Sequence, residues 1–160
     1  MMAAAYPNGE SSEDDTIDMG LLPQLIGFNL RCAQVAVFQH FNRSAGAAEI
    51  SPPQLGALIL IKANPGISQS AIAGALRFDR STLVQIIDRL EERGFVVREV
   101  SAHDRRSHAL KLTPEGLTAL AELKQLTSAH EDHMTRMLTA DEKKQLIDLL
   151  ARLHQTTPES

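Results

Sequence analysis

Arg80, Ser81, Thr82, Gln85 and Arg89 recur along one short stretch, and His103-Asp104-Arg105-Arg106 follows it after a run of β-branched residues. These side-chain types meet nucleic acid. Arginine can pair with guanine and glutamine with adenine, while serine and threonine hydroxyls suit phosphate or mixed contacts. Arginines at a loop tip can reach a minor groove, where narrow A·T-rich segments concentrate negative potential. Asp104 has the wrong charge to attract phosphate, but it can brace Arg106 by a charge-assisted hydrogen bond that fixes its direction. Arg77, just ahead of the stretch, adds a further cation. The window 77–111 holds eight basic and six acidic residues, a balance of +2, in a chain of 160 residues whose net charge is -4. Positive charge is therefore gathered in one segment of an otherwise acidic chain.

Other groups support weaker readings. Arg31 interrupts an apolar helical run beside Phe28, Cys32 and Val35, and a cation on an apolar wall can anchor a carboxylate or phosphate. Leu58, on the next helix, is a candidate for the same pocket. An inter-subunit ion pair or a snorkelling side chain would use Arg31 equally well. Cys32 is the single cysteine, so no internal disulfide or Cys-rich metal site is expected. It can act as a redox sensor only with exposure and thiolate character, and its apolar neighbours predict a buried, inert thiol. His130 and His133 stand at i, i+3 and could begin a zinc site, but no third ligand lies nearby in sequence, which predicts a solvated stretch of helix. His40, His103 and His108 are scattered. No Gly-rich phosphate loop, nucleophile elbow or cleft-forming carboxylate pair is present, so the chain is not expected to be an enzyme, and no cofactor is expected.

The elements that must position these groups follow from periodicity and caps. Residues 1–19 mix small, polar and acidic types without period and are expected to form a disordered tail. A long helix is predicted over Leu21–Arg43, with apolar residues on more than one face, as a helix buried on several sides would have. In a chain this small that implies a second subunit. Ser51-Pro52-Pro53 starts the next helix, Asn64-Pro65-Gly66 makes a turn, and Ser68 can cap a short third helix. Asp79 is the N-cap of a fourth, with Phe78 stapled onto Leu83, and Leu83, Ile86, Ile87 and Leu90 on its inner face. Gly94 is the expected residue just past its end. Phe95–Val100 and His108–Leu112 then form a hairpin around a polar loop. Thr113-Pro114 opens a long helix reaching about Met137. Thr139 and Glu142 form a capping box for the last, whose stripe is Leu146, Leu149, Leu150 and Leu153.

Two short helices, a capped helix with a polar face and a hairpin with a basic tip give a mainly α fold with a small β-hairpin wing (α+β), the layout of a winged helix-turn-helix. Residues 50–113 would be the DNA-binding domain, and 20–45 with 114–157 a helical dimerisation region. A winged-helix protein–protein adaptor would share the layout but needs no arginines at the wing tip. No signal peptide and no run of roughly 18 apolar residues is present, so a cytoplasmic protein without a membrane partner is expected.

The segment "DRSTLVQIIDRLEERGFVVREVSAHDRRSHALKLTPEG" resembles the MarR-type (multiple antibiotic resistance) transcriptional regulators, and the helix order extends the resemblance over about 21–155. The recognition helix, the "LEERGFV" turn, "DRR" at the wing tip and "LTPEG" occur in the family's order. "SAHD" stands where the family often has proline before the wing acid. The resemblance implies a homodimer built from the first and last helices, with Asp104 and Arg106 matching the wing pair and Arg106 entering the minor groove. It implies a repressor on a double-stranded, pseudo-palindromic operator. Its small-molecule effector would be an aromatic carboxylate or the corresponding CoA thioester. Redox sensing through Cys32, or metal sensing, are alternatives on the same fold.

Overall fold

Pro23 decides where the first helix begins. In the computed structural model, residues 17–44, 49–100 and 108–155 are described, and the chain divides into two units, 1–35 and 36–160. In the first, Leu22–Gln24 form a 3₁₀ turn and Leu25 is extended, so helix α1 runs from Ile26 to Ser44 rather than from Leu21. The Asn29 side-chain amide donates to the Pro23 and Leu25 carbonyls at 3.0 and 2.8 Å. A local side-chain bond there competes with helical propagation. Ile26 and Leu30 are exposed.

In the second unit, side-chain caps mark most helix starts. Helix α2 (Pro52–Ala63) opens with Gln54 accepting from the Ser51 N–H at 2.8 Å. Helix α3 (Gln69–Leu76) is capped by Ser68, whose hydroxyl accepts from the Ala71 N–H. Helix α4 (Arg80–Glu92) is capped by Asp79. Thr113 caps α5 (Pro114–Met134) by accepting from the Gly116 N–H and donating to the Gly94 carbonyl. Gly116 admits no side chain, since a Cβ would overlap the Phe95 carbonyl. Thr139 and Glu142 form the expected capping box of α6 (Ala140–Gln155). Helix α5 ends three residues before the expected Met137.

The sheet has a strand that the periodicity does not announce. Ile67–Ser68 form β1, which pairs with β3 (His108–Leu112), and β3 pairs in turn with β2 (Val96–Val100). All pairings are antiparallel, in the order β1-β3-β2. Ile67 lies opposite Leu110, and Arg98 opposite Leu110 on the other side. Two residues are too few to show alternation, so the strand exists only through its partner.

One core joins these elements. Leu55, Leu58 and Ile61 of α2, Ile72 of α3, Leu83, Ile87 and Leu90 of α4, Leu110 of β3, and Leu120 and Leu123 of α5 are all buried. Each such side chain contributes about 1.5–3 kcal/mol relative to remaining in water. Phe78, as expected of a staple, packs against this core. The Gly94 backbone adopts φ +71, as a residue closing α4 requires.

Candidate nucleic-acid interface

Helix α4 buries Leu83, Ile86, Ile87 and Leu90 and turns its other side to solvent, where Arg80, Ser81, Val84, Gln85 and Arg89 are exposed. Its first turn is tightly organised by Asp79. The carboxylate accepts from the Thr82 N–H at 2.8 Å, from the Thr82 hydroxyl at 2.7 Å and from the Ser81 hydroxyl. These bonds, the Ser81 hydroxyl's first, hold the Asp79 carboxyl well below the usual carboxylate range. The hydroxyl protons of Ser81 and Thr82, expected to face phosphate, are thus given to the cap. Thr82 is also half-buried.

Arg77 sits in the turn between α3 and α4 with φ +56, a left-handed conformation rare outside glycine. The N–H groups of Arg77 and Phe78 close the end of α3 on Gly74 and Ala73. An arginine thus stands in a conformation that suits glycine, two residues before the capping Asp79.

Not all the basic residues of the segment face outward. Arg98 on β2 donates to both Asp88 and Glu91 of α4, tying the wing to the recognition helix. Lys111 pairs with Glu99 across the hairpin at 2.7 Å. Arg93 donates to the Glu49 carbonyl at 2.9 Å and lies over the Phe95 ring. The clustering of charge therefore serves two ends, since Arg98 holds β2 to α4. Asp88 and Glu91, one turn apart on α4, carry the complementary charge, yet nothing in local spacing links them to Arg98. Val84 is a further outward side chain, apolar among these polar ones. His103, Asp104, Arg105 and Arg106 lie outside the described residues.

Two clefts adjoin α4. One of about 210 Å³ is walled by Ser51, Pro53 and Gln54 on one side and by Thr82, Gln85 and Arg89 on the other. The second, of about 490 Å³, includes Asn42, Glu49, Arg89 and Arg93. Arg89 lines both, so one cation borders two recesses.

The effector candidates are placed unevenly. In the first unit Arg31 is exposed, while Phe28, Cys32 and Val35 are half-buried. Cys32 is accordingly not the fully buried thiol that its neighbours imply. Leu58 is wholly enclosed in the core of the second unit.

The histidines depart furthest from expectation. His130 is buried rather than solvated, and His40 joins it across α1 and α5, with Nδ1 to Nδ1 at 2.7 Å. His133 stacks on His40 at 4.0 Å between ring centres, and Phe41 meets His130 edge-on at 5.4 Å. One of the two facing nitrogens must carry a proton and the other accept it. Burial, then the neighbouring His40, pushes the His130 pKa down, and His133 is lowered in the same order of causes. Stacked rings and so close a nitrogen pair do not fit two ligands on one ion, since Zn–N bonds of about 2.0–2.1 Å at tetrahedral angles hold ligands farther apart. Among the described residues no group of three or more His, Cys, Asp or Glu side chains is arranged to hold a metal. No helix among them is long and apolar enough to cross a membrane.

Comparison with known proteins places this geometry. The MarR family model matches residues 49–107, from just ahead of α2 to just short of β3. A Thauera aromatica protein named as a transcriptional regulatory protein for the hcr operon is 37% identical over 155 residues, covering 95% of this chain and 93% of its own. The transcriptional repressor CouR, solved bound to a 23-mer DNA duplex, superposes with a TM-score of 0.82 at 39% identity, covering 88% of this chain and 99% of its own. CouR bound to p-coumaroyl-CoA gives the same TM-score at 37% identity, over 89% of this chain and 100% of that one. The chain belongs to the MarR family of winged helix-turn-helix transcriptional regulators.

Proposed function

We propose that the protein is a cytoplasmic homodimeric repressor that holds a pseudo-palindromic operator and leaves it on binding an aromatic acid or its CoA thioester. The observation that carries this reading is the likeness, along nearly the whole chain, to a repressor solved both with a DNA duplex and with p-coumaroyl-CoA. The geometry supports it. Helix α4 is braced by a three-bond cap and by Arg98, so its exposed Arg80, Gln85 and Arg89 enter a major groove without first being ordered. Arg77 would take a backbone phosphate beside the helix, and Arg106, braced by Asp104, the adjacent minor groove. The second copy covers the exposed apolar side chains of α6, and two recognition helices then meet half-sites about 10 bp apart. Arg31, with Phe28, Cys32 and Val35 beside it, would receive the anionic effector.

The test is a mobility-shift titration on a duplex enriched from a randomised pool, with p-coumaroyl-CoA, p-coumarate and free coenzyme A added separately. Release by the thioester or the acid, but not by coenzyme A alone, is expected. A complex that persists through saturating amounts of both aromatic compounds would remove this effector class.

A further inference from the structure

Along α3, α4 and the turn between them, one large hydrophobic side chain is left exposed among the described residues: Val84, at 40%. Its position is informative because its neighbours are already engaged. The hydroxyls of Ser81 and Thr82 donate to Asp79, and the Asp88 carboxylate is taken by Arg98. In the second turn of α4, Ile86 and Ile87 face the core, which leaves Val84 and Gln85 as the pair facing out. A β-branched residue on an exposed helix surface lowers helix propensity relative to alanine and, with 40% of its surface open, returns less packing than the core residues beside it.

Valine makes no hydrogen bond, so it cannot read a phosphate or the donor and acceptor pattern of a base edge. What it can meet in a major groove is a methyl group, and among the four bases only thymine presents one there, at C5. In a helix valine is held almost entirely in one χ1 rotamer, so its two methyls are presented with little ordering left to do. We infer that Val84 is a specificity residue, reading the C5 methyl of a thymine in each half-site beside the base read by Gln85. The inference rests on the operator-binding reading above. It adds that part of the sequence preference is apolar, carried by a side chain that contacts neither phosphate nor a hydrogen-bonding edge.

The experiment uses the full-length protein and a duplex enriched from a randomised pool. Each thymine of the enriched site is replaced in turn by uracil, which removes only the C5 methyl, and binding is measured for wild type, Val84→Ala and Val84→Thr. Losing one buried methyl contact should weaken wild-type binding about four-fold per half-site, and roughly fifteen-fold when both half-sites are changed. Val84→Ala should bind the uracil and thymine duplexes alike at that position while keeping its sensitivity elsewhere. Val84→Thr, which keeps one methyl, should retain part of the preference. Because Val84 is outside the core, the variants should melt no lower than about wild type, Val84→Ala being the better helix former, and a melting curve separates lost reading from lost folding. If Val84→Ala keeps the wild-type thymine profile, or wild type is indifferent to uracil throughout, the role of Val84 is overturned while operator binding stands. If no duplex is enriched at all, the operator reading falls, and the role of Val84 falls with it.

Discussion

Helices α4 and α6 carry the same apolar spacing and opposite burial. Leu83, Ile86, Ile87 and Leu90 follow one another at i, i+3, i+4 and i+7, and so do Leu146, Leu149, Leu150 and Leu153. The first four are 1, 9, 0 and 0% exposed, the second four 44, 41, 36 and 43%. A helical stripe states only that one face must leave water; it does not say what covers it. For α4 the cover is in the chain itself, from α2, α3 and the sheet. The stripe of α6 remains exposed in the single chain, and in the proposed dimer a second copy covers it. The α4 region is therefore expected to answer mutation through folding, and α6 through association.

The largest effect should come from Leu90→Ala. Removing a fully buried leucine side chain costs about 2–5 kcal/mol, a large share of the ~5–15 kcal/mol that holds a typical domain. Urea denaturation should show it, and a midpoint within error of wild type would mean that α4 is not the keystone of this core. The matched change on α6, Leu149→Glu with Leu150→Glu, should leave helicity intact and convert the dimer to monomer in sedimentation. Operator affinity should fall by about two orders of magnitude as the gain from linked half-sites is lost. A dimer that survives both charges would place the interface elsewhere and break the comparison.

How much of this was legible beforehand depends on the range over which each signal acts. Ser68, Asp79, Thr113 and Thr139 cap their helices as their spacing implies, because a cap is decided within about three residues. Gly94 closes α4 for the same local reason. Strand β1 was not legible, since Ile67 becomes strand only by pairing with Leu110. The bonds from Arg98 to Asp88 and Glu91 and the meeting of His40 with His130 are likewise set by tertiary packing, ninety residues of separation in the second case. The outward face of α4 was legible in its polar residues. Val84 falls in neither set, being apolar yet off the inner stripe, and its exposure is what puts it on the outward face.

A smaller effect probes the cap that directs α4. Asp79→Ala removes the acceptor for the Thr82 N–H and both hydroxyls, and should lower the thermal midpoint by about 2–4 °C, typical of losing one N-cap in a chain this size. Asp79→Ser, which keeps the cap acceptor, should recover most of it. Operator affinity should drop more in Asp79→Ala than the melting shift alone would cause, because the first turn carrying Arg80 is no longer held. Equal affinity in the two variants would mean that the cap stabilises the helix without aiming it.

The smallest effect is expected where α1 meets α5, and it depends on pH. His130 and His133 both have folded pKa values below 6.5, burial being the larger cause in each and the facing His40 the next. Glu131 opposes the shift at His130, and that carboxylate is also held by Lys143 at 3.4 Å, while Arg136 reinforces it at His133. In the unfolded chain these imidazoles return to about 6.5, so just below that pH the unfolded state binds more protons than the folded one. Stability is then full above 6.5 and declines as pH falls through the window between the unfolded and folded values. The caps do not confuse the reading, because Asp79 and Glu142 are both held below their usual values and stay ionised there. Melting curves between pH 7.5 and about 5.5 should therefore slope downward on acidification, and His130→Phe should flatten the slope. Were the slope unchanged in that variant, the close His40–His130 pair would be a packing contact only, and the acid sensitivity would belong to other groups.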